Sequence, residues 1–187
     1  MAGTLRDIRE LEAEIEAAGL RGITKQQILD ILRSQAKVGG SLCLRVDAQQ
    51  TTAAGWNRLD VFDTARSTQG IFDGLDDVTD PGAWFQIRSA AAGNYTCDFV
   101  LRFTAATAGK YDFRITHATD AVTPGVYVGE FSPYQDSVTL TAGQMAHVAI
   151  SSALLKDVAR DERIQVEYKG PNNSIITVHF GQFGVQR

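Results

Sequence analysis

Two cysteines, four prolines and three histidines are all that the 187 residues hold of the residue types that most often staple, break or metallate a fold. One cysteine pair cannot make a disulfide-rich scaffold, and Cys43 and Cys97 are expected to be two reduced, buried thiols. His117, His147 and His179 stand singly, and the chain has no H-x-H, H-E-x-x-H or C-x-x-C spacing, so no metal centre is expected. A G-x-S-x-G nucleophile turn and a phosphate-cradling glycine loop are also missing. Carboxylates are plentiful, but nothing selects a pair for glycoside cleavage. The sequence therefore offers no enzymatic chemistry and calls for no cofactor.

Charge of one sign is scarce too. The net charge is −4, and no run of Lys or Arg accumulates anywhere, which excludes the clustered cations that a nucleic-acid backbone needs. No apolar run approaches transmembrane length, so membrane insertion is not expected. Residues 1–19 alternate charged and apolar positions and lack the continuous apolar stretch of a signal peptide, which points to synthesis in a cytoplasm.

What is present divides into two parts. Leu5, Ile8, Leu11 and Ile15 recur at helical spacing with glutamates between them, which predicts an amphipathic helix capped by Thr4 and ended by Gly19. Thr24-Lys25-Gln26-Gln27 has the form of a capping box and opens a second helix running to about Ala36. The apolar face of that helix is Ile28, Ile31 and Leu32. These stripes are too small for a core of their own, so each must meet the other, the same chain's sandwich or a partner. The Gly39-Gly40 pair is the expected boundary, giving a helical anchoring segment over 1–40 and a second domain over 41–187.

From Ser41 the apolar period changes to two, in short runs bounded by Gly, Pro, Asn and Asp. Tyr95, Cys97, Phe99, Leu101 and Phe103 fall on one face of a strand, and Tyr111, Phe113 and Ile115 fall on one face of the next. With only the turn at Ala108-Gly109 between them, the two runs read as an antiparallel hairpin. Further strands are expected over 42–46, 59–62, 84–88, 126–131, 137–141, 145–150, 163–168 and 175–180, with a short final one over 183–185. About ten short strands without intervening helices predict a mainly β, antiparallel two-sheet sandwich of jelly-roll type, preceded by the two short helices.

Within the β part, Asp73, Asp76, Asp77 and Asp80 gather the carboxylates that calcium would take, although their spacing matches no calcium loop and lacks a closing glutamate. A solvated turn explains them as well. Trp56, Trp84, Tyr127 and Tyr134 could form a platform for sugar, but large aromatics in a sandwich more often fill a core or a subunit interface.

Phe103 followed by Gly109-Lys110-Tyr111-Asp112-Phe113 is similar to the G-x-Y-x-F strand of the tumour necrosis factor and complement globular-head superfamily. Val138-Thr139-Leu140, the run 161–166 and Phe180-Gly181-Gln182-Phe183-Gly184 resemble that superfamily's later strands, although Asp161 is not preceded by glycine and no collagen-like stalk is present. The resemblance spans residue 84 to the end and implies a compact homotrimer, with Tyr111, Phe113, Phe180 and Phe183 as interface candidates. The layout, helices first and a small sandwich after, is similar to phage head-decoration, head-fibre and tail-fibre proteins. By that analogy Leu5, Ile8, Leu11, Ile15, Ile28, Ile31 and Leu32 attach the chain to a major capsid protein or another virion protein, and the sandwich is exposed on the virion. The alternative is a carbohydrate- or receptor-binding head of a tail fibre, an adhesin that meets a host-surface glycan.

Overall fold

Alternation decides the architecture. In the computed structural model, which describes residues 38–69, 71–75, 82–87, 92–118 and 135–187, twelve strands form two antiparallel sheets with their apolar sides turned together. The predicted helices, with all seven attachment candidates from Leu5 to Leu32, lie outside the described residues, as do Asp76, Asp77, Asp80, Tyr127, Tyr134 and the strand expected over 126–131. The described residues fall within one compact unit, Lys37–Arg187. Gly39 and Gly40 are strand residues that pair with Gln186 and Val185.

One sheet has the order β10 (Met145–Val158), β7 (Gly93–Ala105), β12 (Ile175–Gln186), β1 (Gly39–Cys43) and β4 (Thr64–Gln69), with β2 (Ala48–Thr51) also pairing with β12. The other has the order β5 (Ile71–Asp73), β6 (Trp84–Ile87), β11 (Arg163–Lys169), β8 (Gly109–Ala118) and β9 (Gln135–Leu140), with β3 (Asn57–Arg58) on β11. These are called the β7 sheet and the β8 sheet below. The chain changes sheet at every step from β2 to β5, and again at β6 to β7, β7 to β8, β9 to β10, β10 to β11 and β11 to β12. That repeated crossing is what makes this sandwich a jelly roll rather than a meander.

The two runs expected to form a hairpin do not pair. β7 is bonded to β10 and β12, whereas β8 is bonded to β11 and β9. Residues 106–108 carry the chain from one sheet to the other, so the two apolar faces meet across the core. Period two tells which side chains point inward, but it does not tell which strand lies alongside. Phe113 stacks near Phe99 with ring centroids 6.0 Å apart, near Phe103 at 5.3 Å and near Tyr168 at 6.1 Å. Phe103 also meets Tyr111 edge-on at 5.8 Å, and Phe85 meets Phe183 across the sheets at 5.5 Å. Gly109 makes the crossing possible: with φ at +156°, a Cβ there would stand 2.5 Å from Pro171 Cγ.

Other boundaries moved for identifiable reasons. Residues 59–62 are not a strand, although Leu59, Val61 and Phe62 are buried, and the Leu59 N–H donates to the Val166 carbonyl. Ile175–Gln186 is one continuous strand, not two. β2, β4 and β5 are short or polar and carry no readable alternation.

Deleting the Phe113 ring leaves a hole where both sheets converge. Phe113→Ala is expected to cost about 3–5 kcal/mol in chemical denaturation, and a loss below about 1 kcal/mol would show that the ring cluster is not the centre of the core.

Candidate interaction surface

The large apolar side chains left exposed are not scattered. Among the described residues six are exposed, and five of them, Val100, Met145, Leu154, Ile175 and Phe180, are between 39% and 49% accessible and lie on β7, β10 and β12. These three strands are adjacent, and all five residues point away from the core. Their inward neighbours, Phe99, Leu101, Val148, Ile176 and Val178 among them, are buried. Register places Val100 beside Ala149 on one side and Gln182 on the other, and Arg102 beside His147 and Phe180. The outward surface thus alternates these apolar side chains with polar ones, among them Thr96, Asp98, Arg102, Thr104, His147, Thr177 and Gln182.

Three bulges shape it. Between Val178 and Phe180 the register with β7 slips by one, so His179 becomes the extra residue and the strand's phase reverses. Strict alternation from Ile176 and Val178 would have buried Phe180. The slip turns Phe180 outward and brings Phe183 and Val185 inward. The His179 ring holds the bulge, with Nδ1 2.7 Å from Asp47 Oδ2 and Nε2 3.2 Å from Thr104 Oγ1. In β10, Ser152 and Asp157 have φ of 54° and 52° at two further register shifts. Their N–H groups donate to Asp98 Oδ1 at 2.8 Å and to Asn94 Oδ1 at 2.9 Å. The side of β10 away from β7 is partly closed by Asp136, whose Oδ2 accepts from the Ala149 N–H at 3.1 Å.

The outward side of the β8 sheet is different. Arg114, Thr116, Arg163, Gln165 and Glu167 all point away from the core and yet are buried. Glu167 receives Arg114 Nε at 3.0 Å and Nη2 at 2.9 Å, and its other oxygen accepts from Gln165 Nε2 at 2.8 Å. The Arg114 guanidinium lies 3.9 Å from the Trp56 ring centroid, and that of Arg163 lies 3.5 Å from the Trp84 centroid. His117 Nδ1 is 3.0 Å from Glu162 Oε2, which also accepts from the Ala159 N–H at 2.8 Å. These paired and stacked charges fill one outer face, whereas the outer face of the β7 sheet carries the exposed apolar side chains.

The interface candidates read from the sequence are corrected by this geometry. Tyr111, Phe113 and Phe183 are wholly buried in their own chain's core and have no surface left for a neighbour, whereas Phe180 is exposed on the outer face of the β7 sheet. Asp73 is partly buried on β5. Trp84 is buried, and Trp56 is partly covered above Arg114. Val100, Met145, Leu154 and Ile175 were missed. For Val100 the signal was available, as the one apolar residue out of phase in the run 95–103.

No protein-family model matches the chain, and none of the curated proteins matches it in sequence. Solved structures do match. The Eiger TNF of S. frugiperda aligns at a TM-score of 0.52 and 8% identity, covering 81% of this chain and 92% of that one. Murine APRIL aligns at 0.48 and 10% identity over 80% of this chain and 98% of its own. The structure of infectious bursal disease virus, strain Gx, aligns at 0.41 and 12% identity over 82% of this chain and 32% of that one. The β unit has a TNF-like jelly-roll fold.

The cysteines are separated by this fold. Cys43 is partly exposed on the outer side of the β7 sheet opposite Gln182, whereas Cys97 is buried on the inner side opposite Val185. They do not pair, and only one is the buried thiol expected. Burial, helped by the adjacent Asp98 carboxylate, pushes the Cys97 thiol far up. Native protein treated with iodoacetamide at about pH 8 is expected to be modified at Cys43 alone, since the thiolate is the nucleophile. Equal labelling of Cys97 by mass spectrometry before denaturant is added would contradict this placement.

Proposed function

We propose that the chain is a non-enzymatic structural protein whose jelly roll self-associates as a homotrimer through the outer face of β10, β7 and β12. Its proposed setting is a phage virion, as a capsid-decoration or head-fibre protein made in the host cytoplasm. Residues 1–40 would attach to the major capsid protein or another virion protein, and the sandwich would be exposed. The observation that carries the reading is the contrast between the two outer faces. One is closed by the chain's own paired charges, and the other leaves five large apolar side chains in water on three neighbouring strands.

Contiguous exposed apolar area is what a subunit contact removes from solvent. A standard contact buries roughly 800 Å² per partner, and the outer side of three neighbouring strands is the surface this chain would offer to it. Three copies rather than two follow from the TNF-like fold, since the superfamily that the sequence resembles assembles as homotrimers. Aromatic and Met side chains are also the types enriched at interface centres, and Phe180 and Met145 lie here. A structural rather than enzymatic role is supported by what the carboxylates do: Asp47, Asp98, Asp136, Glu162 and Glu167 each hold a hydrogen bond that fixes a bulge, an edge or an ion pair.

A carboxylate placed on this face separates the interface from the core. Phe180→Asp and Val100→Asp leave the inward residues untouched. Each is expected to weaken association by on the order of 100-fold or more, because it would bury an unpaired charge. The trimer should dissociate in light scattering while the circular dichroism spectrum is unchanged, and trimers that persist in both variants would refute the assigned face. Removing residues 1–36 is expected to leave the trimer intact and to abolish co-sedimentation with particles, and retained co-sedimentation would move the attachment site to the sandwich.

A further inference from the structure

The chain has three histidines, and their surroundings differ in sign. On the β8 sheet, His117 Nδ1 lies 3.0 Å from Glu162 Oε2. On β12, His179 Nδ1 lies 2.7 Å from Asp47 Oδ2, with Nε2 3.2 Å from Thr104 Oγ1. A proton taken up by either ring meets a carboxylate. His147 is the exception. It stands exposed on the outer side of β10, and register sets it directly beside the equally exposed Arg102 of β7. Neither His147 nor Arg102 has a hydrogen bond or an ion pair with another of the described residues.

Residues directly opposite in an antiparallel pair hold their Cβ atoms about 5 Å apart, and like charges there repel. Nothing beside the two relieves that. The outward neighbours of His147 along β10 are Met145 and Ala149, those of Arg102 along β7 are Val100 and Thr104, and across Arg102 stands Phe180 of β12. None is charged. The carboxylates that border this surface are already engaged. Asp136 of β9 accepts from the Ala149 N–H at 3.1 Å and the Ser137 N–H at 2.8 Å, and Asp98 of β7 accepts from the Ser152 N–H at 2.8 Å. Asp47 is taken by His179. Lys156 and Asp157 stand at the far end of β10.

Imidazoles change charge between about pH 5 and about pH 8. With His147 neutral, Arg102 is the one cation that a neighbouring subunit would cover here. With His147 protonated there are two, side by side and without counter-charges, among Val100, Met145 and Phe180. Water screens such a pair on a separated subunit, whereas a contact strips the water from both charges. The ring therefore takes its proton more readily when open to solvent than when enclosed beside the guanidinium, and by linkage acid favours the separated subunits. We propose that His147 makes self-association acid-sensitive, the contact loosening as the ring beside Arg102 becomes charged. This rests on the outer face of the β7 sheet being the subunit contact. Symmetry repeats the effect in every copy.

The test is sedimentation velocity of the full chain over a concentration series at two pH values, with circular dichroism to show the sheets intact at both. The wild-type association constant is expected to fall at least about tenfold from about pH 7.5 to about pH 5.5. His147→Gln is expected to bring the ratio of the two constants to within about threefold, and Arg102→Gln to shrink it too. His147→Lys, a cation at both pH values, is expected to associate weakly at both. A wild-type trimer equally strong or stronger in acid would overturn this inference and leave the self-association face standing. So would a His147→Gln ratio as large as that of the wild type, or a His147→Lys trimer as tight as the wild type at the higher pH. A wild-type monomer at both pH values would overturn the inference and the face together.

Discussion

The position of Phe113 between two sheets is the constraint on which the rest of the molecule depends. Its ring meets Phe99 and Phe103 from the β7 sheet and Tyr168 from its own sheet. Aromatic pairs at such separations add about 0.5–1.5 kcal/mol each beyond the area they bury. Four consecutive inward positions of β7 from Cys97 to Phe103, all buried, can be filled only by a strand from the opposite sheet. The short connection over 106–108 changes sheets and sets β8 across the core from β7. Once the inward sides are committed, each sheet has only its outer side left with which to interact.

The two outer sides reached opposite solutions. On the β8 sheet, Arg114 and Glu167 form a two-point ion pair under Trp56, and Arg163 lies on Trp84. Breaking a buried pair of this kind by removing one partner leaves the other charge buried and alone, typically a loss of about 3–5 kcal/mol. That face is structurally fixed. On the β7 sheet, the His179 bulge exposes Phe180 beside Arg102, and the bulges at Ser152 and Asp157 reshape β10 through bonds to Asp98 and Asn94. Backbone irregularities are placed where they bear on the surface, while the interior keeps regular alternation. The outer side of the β7 sheet is then the one that leaves large apolar side chains in water.

Much of this was legible in the sequence, and the failures share a cause. Period two identified the inward residues of β7 and β8, and the G-x-Y-x-F spacing pointed to the fold that the structural comparison bears out. It could not identify strand neighbours, since a side chain's phase is the same in a hairpin as in a crossing, and so the run ending at Phe103 was paired with the run starting at Tyr111. Nor could it register a one-residue bulge: His179 reverses the phase of β12, which is why Phe180 and Phe183, three apart, face opposite sides. Tyr111, Phe113 and Phe183 were taken as interface residues because aromatic character serves a core and an interface equally. The buried pair of Arg114 and Glu167 was not legible either, because burial of a charge depends on a partner 53 positions away.

The native mass of the full chain tests the account most directly. At micromolar concentration the trimer predicts a particle of three times 20.3 kDa in native mass spectrometry and light scattering. A single-chain mass under the same conditions, from protein whose spectrum shows the sheets intact, would contradict it.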